Sequence, residues 1–84
     1  MVLEDSVAVR VLTYLADKYR PVTSDWVDVS EIADAIGISA DDVLRRCERL
    51  LERALVETAP ADAENDSPAA LITVKGLLAV GRVP

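Results

Sequence analysis

Between Gly37 and Val56 the chain places a glycine, a capping serine and a line of apolar residues, and this stretch (GISADDVLRRCERLLERALV) limits the fold more than any other. Glycine lets the backbone turn tightly with positive φ after a short helix. Ser39 can cap the next helix, with Asp42 three residues on, where a capping box places an acid. At about 100° per residue, Val43, Cys47, Leu50 and Ala54 share a narrow face that must be the core side. Cys47 stands in the middle of that line and reads as a buried small hydrophobe, not a nucleophile. A helix is expected over 40–53, with Leu55 to Thr58 leaving it as a strand.

Around this centre the other elements follow from spacing. Residues 4–19 read as a first helix, because Ala8, Val11, Leu12, Leu15 and Tyr19 recur at three- and four-residue steps. Glu4 and Asp5 suit its positive end, Lys18 and Arg20 its negative end, and Pro21 cannot continue it. Trp26 to Val29 alternates in period two as a short strand with Val27 and Val29 inward. Trp26 then lies on the other side, as a lid over the core edge or as a stacking platform. Ser30 is expected to cap a second helix that buries Ile32, Ala33 and Ile36 and stops at Gly37. Pro60 to Pro68 is a polar turn-forming loop, and Ala69 to Ile72 returns as a strand, so the two strands make a hairpin with a long tip. Thr73 caps a last helix near 74–81, whose Leu77, Leu78 and Val80 can cover the core. The core should include Val11, Leu15, Ile32, Ile36, Val43, Cys47, Leu50, Val56 and Leu71.

Composition narrows the function. The 84 residues make one small domain, 1–84, with 51% hydrophobic and 29% charged residues, a globular composition. No apolar run approaches the roughly 20 residues that span a bilayer. The acidic N-terminus lacks the basic region of a signal peptide. A single cysteine agrees with a reducing cytoplasm. With no histidine, Ser-His-Asp and Cys-His catalysis and the commonest metal ligand are removed together. The expectation is a protein that is not an enzyme and carries no cofactor. Asp62, Glu64 and Asp66 alternate as in a calcium loop, but the glycine and distal glutamate of an EF-hand are missing, so a solvated loop tip is the expected reading and no metal site is assigned.

Three segments resemble the winged helix-turn-helix domains of the MarR, IclR and TrmB families of bacterial and archaeal regulators. Val29 to Ser39 (VSEIADAIGIS) is similar to the usual "lteiAealgls" helix and turn. Val43 to Val56 is similar to "tVsrhLkrLeerGlV". Leu71 to Gly76 (LITVKG) is similar to "yrLTpkG", with Thr73, Lys75 and Gly76 in register. The likeness covers residues 28–82 well and the first helix loosely. It implies an α+β winged helix with a three-helix core, a hairpin wing and a C-terminal helix. It also implies a DNA-binding transcriptional regulator that reads double-stranded DNA with the third helix. The DNA-binding candidates are Ser39, Ala40, Arg45, Arg46, Arg49 and Lys75. Regulators of this fold usually read two half-sites, which implies a homodimer. Val7, Val9 and Tyr14 are then either surface filler or its seam. Leu44 and Leu51 either pack on the first helix and the hairpin or meet a protein partner.

The charge stands against the shape. Net charge is −6, whereas nucleic-acid binders normally carry a basic footprint. Residues 30–59, the supposed reading head, hold seven acids and four bases and are the most negative third. Opposite the core line, the third helix presents Asp41, Arg45, Glu48, Arg49 and Glu52. Asp41 and Asp42 occupy positions where the family often has Ser or Thr, and Ala54 replaces the usual glycine. The loop at the wing tip carries no base. The exposed charges read either as a DNA contact through the arginines or as a self-satisfied surface, with Asp41–Arg45 and Asp42–Arg46 paired i to i+4. An acidic winged helix that contacts proteins without binding DNA is the alternative function. Seven arginines against two lysines, with nine aspartates, suit either a salt-loving source or GC-rich codon usage.

Overall fold

Ala8, Val11, Leu12, Leu15 and Ala16 form the buried side of helix α1 (Ser6–Lys18), the first element of a computed structural model. The structure describes residues 6–20, 26–61 and 66–82. Glu4, Asp5, Pro21, Asp62 and Glu64, and the roles read for them above, lie outside the described residues. After α1 come β1 (Val27–Asp28), α2 (Val29–Ile36), α3 (Ala40–Glu52), β2 (Val56–Ala59), β3 (Ala69–Ile72) and α4 (Val74–Ala79). The strands form one antiparallel sheet in the order β1-β3-β2, with Val27 opposite Ala70 and Val56 opposite Ile72. Three helices packed on this small sheet, with β2 and β3 as the hairpin, make an α+β winged helix.

The chain closes α2 and opens α3 as its residues dictate. Gly37 adopts φ +75 and its N–H returns to the Ala33 carbonyl at 2.9 Å. Ser39 is extended, and its hydroxyl accepts from the Asp42 N–H at 3.2 Å, which removes one orphan donor of the helix start. Thr73 repeats the device for α4, accepting from the Gly76 N–H at 3.0 Å while donating to the Ala54 carbonyl at 2.7 Å. Val43, Cys47 and Leu50 are buried as their spacing requires.

Five local expectations are corrected. Ser30 does not cap α2, which starts two residues earlier, at Val29, after an Asp28 whose side chain makes no capping bond. The hairpin takes over that role: the Val29 N–H donates to the Pro68 carbonyl at 2.8 Å and the Ser30 N–H to the Ser67 hydroxyl at 3.3 Å. Ile36, the last residue of α2, is only half-buried. Leu71 is half-buried as well, because the strand turns Ala70 and Ile72 inward. Leu78 is 60% exposed, so Leu77 alone of that pair enters the core.

Ala54 is the fifth. It is exposed, with φ +60, because α3 ends at Glu52 and the backbone turns left-handed to deliver Leu55 into the core. A side chain in that region costs roughly 1–2 kcal/mol, against roughly 0.5–1 kcal/mol for the entropy a glycine loses on folding. Ala54→Gly should therefore raise unfolding stability by about 0.5–1 kcal/mol in a urea titration. A loss of stability would mean that the alanine methyl makes a contact worth more than the strain.

Candidate nucleic-acid interface

Helix α3 packs against α1, α2 and β2. Its core line meets α1 and α2. From α1, the Arg10 guanidinium donates to the Ile36 carbonyl at 2.6 Å and places positive charge at the carboxyl end of α2. One turn on, the Tyr14 hydroxyl donates to Glu31 Oε2 at 2.6 Å. That bond to a carboxylate, with partial burial and the Glu31 charge behind it, raises the phenol above its usual range. The Lys18 ammonium sits 5.5 Å from the centre of the Tyr14 ring. These bonds fix α2 on α1 and so fix the turn that launches α3. Sequence spacing gave no sign of Arg10, whose partner lies 26 residues away.

The helix is about 20 Å long at 1.5 Å per residue, and the candidate contacts are spread along it. Ser39 and Ala40 mark its N-terminal end, with the exposed Asp41 and half-buried Asp42 next to them. Arg45 and Arg49 lie on the solvent side farther along. The Arg45 side chain is 70% exposed and meets Asp42 at 3.9 Å, three residues back, rather than the expected Asp41. An exposed pair at that distance contributes little and leaves the guanidinium available. Arg46 turns toward the body and is half-buried. Lys75 is exposed on α4, next to the C-terminal end of α3, because Thr73 ties that turn to Ala54. The structure brings Arg45 and Arg49 together, and separates Ser39, Ala40 and Lys75 toward opposite ends.

Cys47 has no accessible surface, and burial pushes its thiol up to about 11, with the Glu48 charge adding to the rise. It stays protonated and acts as core. Val7, Val9 and Tyr14 are half-buried on α1, and Tyr14 is already engaged by Glu31. Leu44 is half-buried against the core, whereas Leu51 is 44% exposed. Trp26 is 47% exposed beside β1, more open than a lid would be. At the far end, Arg82 pairs with Asp17 at 2.6 Å and clips α4 to α1. Among the described residues no group of three or more His, Cys, Asp or Glu is placed to hold a metal ion, and no helix is long and apolar enough to cross a membrane.

No protein-family model matches this sequence, and no curated protein does. Solved structures do share its fold. A mutant of S. aureus MepR bound to an oligodeoxyribonucleotide is 20% identical with a TM-score of 0.71, covering 88% of this chain and 51% of that one. A mutant of Lactococcus lactis ZitR is 21% identical with a TM-score of 0.67, covering 94% and 47%. The PcaV transcriptional regulator from Streptomyces coelicolor, in complex with its natural ligand, is 22% identical with a TM-score of 0.73, covering 99% and 56%. The chain spans about half the length of each of these proteins. At such identities the likeness is one of fold.

Proposed function

We propose that this winged helix binds double-stranded DNA in transcriptional regulation, with α3 in the major groove and Arg45 and Arg49 at base edges. The observation that carries the reading is the exposed pair of arginines on the solvent side of the helix that follows the Gly37 turn. Arginine is the commonest reader of guanine in that groove. The shared fold with an oligodeoxyribonucleotide-bound protein supports it. Ser39, Ala40, Arg46 and Lys75 are assigned supporting contacts with the phosphate backbone.

Salt separates this mode from that of a basic binder. A protein that neutralises many phosphates loses affinity steeply as salt rises. Here few phosphates can be neutralised, and the −6 body repels the duplex. That repulsion is only partly screened at 0.1 M, where the Debye length is about 10 Å, and nearly vanishes at 1 M, where it is about 3 Å. Fluorescence anisotropy with a labelled duplex should therefore show a shallow or inverted salt dependence. Arg45→Ala combined with Arg49→Ala should abolish binding at every salt concentration. Absence of binding from low to molar salt would overturn the DNA reading; a steep loss with salt would overturn its electrostatics.

Two copies joined along α1 would present paired helices to a two-fold site, with Val7 and Val9 as the seam and Tyr14 at its edge. Sedimentation at micromolar concentration should then show a species of twice 9.1 kDa, and a single 9.1 kDa species would refute the pairing.

A further inference from the structure

Helix α3 carries two unlike flanks beside its core line. Counting about 100° per residue from Val43 on the core line, Leu44, Leu51, Glu48 and Asp41 fall on one side. Arg46, Arg49 and Arg53 fall on the other, together with Asp42. Packing decides which flank faces the hairpin. Leu44 and Glu48 line a groove of about 320 Å³ whose opposite wall is residues 58–61 and Pro68. The arginine flank faces away from it.

The lining is aliphatic apart from the Thr58 hydroxyl and the Glu48 carboxylate, and no lysine or arginine contributes to it. Leu51 continues the Leu44 line two turns along the helix and is 44% exposed. Asp41 and Asp66 are exposed on the elements that border it. A phosphate entering here would meet a carboxylate and no cation, the reverse of what backbone binding requires. An aliphatic side chain could instead bury itself between Leu44 and the two prolines, with a cation beside it to meet Glu48. Charge complementarity therefore selects the occupant.

We propose that the groove between α3 and the hairpin binds a short basic segment of a partner protein, anchored by one aliphatic side chain and paired through lysine or arginine to Glu48. Neither Arg45 nor Arg49 lines this groove, so the site does not depend on the DNA reading.

The probe is a nine-residue synthetic peptide with one central leucine, two lysines on either side, and serine elsewhere. It is titrated into the full 15N-labelled chain and followed by amide shifts. Saturable shifts are expected at the amides of residues 44, 48, 58, 59 and 61. Replacing the peptide's leucine by serine should weaken binding about tenfold, as loss of a central anchor does. The exposed substitution Glu48→Lys should weaken it by at least as much, and a circular dichroism spectrum and melting curve matching the parent would confirm that this variant folds. The protein carrying Arg45→Ala and Arg49→Ala should bind the peptide no more weakly than the parent, which keeps the outcome separate from that of the DNA experiment. The proposal is overturned by shifts that spread over the acidic surface without saturating, by a serine peptide that binds as well as the leucine peptide, or by a folded Glu48→Lys protein that binds as the parent does.

Discussion

Gly76→Ala is expected to destabilise the protein by about 3 kcal/mol, a value at the upper end of overpacking costs. In an ordinary helix the same change would stabilise by roughly 1 kcal/mol, because alanine is the better helix former. The sign reverses because Gly76 is buried in α4 against the backbone of Leu55, which leads into β2, and the side chain of Ile72. A β-carbon there would stand 2.7 Å from Ile72 Cγ1 and closer still to the Leu55 carbonyl oxygen. That oxygen cannot swing aside freely, since it accepts the Thr73 N–H at 3.1 Å. Relief requires lifting α4 off the sheet, which exposes Leu77 and loosens the Arg82–Asp17 clip. Gly37→Ala offers a contrast: a β-carbon there meets open space, so only the left-handed backbone penalty of roughly 1–2 kcal/mol remains. Urea unfolding of both variants reads the difference. A Gly76→Ala protein more stable than its parent would show that α4 does not pack against Leu55 as described.

Leu50→Ala should remove about 2–5 kcal/mol, the range for buried leucines. Leu50 is 2% exposed, on the core line of α3 and in the same cluster as Val11, Val43 and Leu55. Its carbonyl also accepts the Leu55 N–H at 2.9 Å, where the chain leaves the helix for the hairpin. A domain of this size holds roughly 4–13 kcal/mol in total, so the variant would lose a large share of it. A shift of the urea midpoint with unchanged slope would mark a pure stability loss. Full retained stability would mean that α3 packs through another face.

Much of the fold could be read from neighbouring residues. Gly37, Ser39 and Thr73 each act within three or four residues of themselves, so their turn and caps were predictable from spacing and side-chain chemistry. The buried line of Val43, Cys47 and Leu50 follows from helical period alone. Gly76 appeared only as the last letter of a family pattern, and its physical reason needed the Leu55 carbonyl to be in place. In the strand Ala69 to Ile72 every residue is apolar, so period two allows either face to turn inward. Pairing with Val27 and Val56 chose Ala70 and Ile72 over Leu71. The start of α2 escaped for a similar reason: its first N–H groups are met by Pro68 and Ser67 from the hairpin, some 40 residues later in the chain.

The candidate site divides along the same line. Sequence by itself determined that α3 carries Arg45 and Arg49 opposite its core face, interleaved with acids, because side-chain direction on a helix is fixed by residue number. Only the tertiary structure decided that the Leu44–Glu48 flank faces the hairpin and forms a groove with it, and that Arg46 is half-buried while Arg45 and Arg49 stay exposed. The order of residues sets an angle about the helix axis. What stands at that angle depends on where β2 and β3 pack, and that is settled by burial of Leu55, Val56, Ala70 and Ile72 against helices distant in sequence.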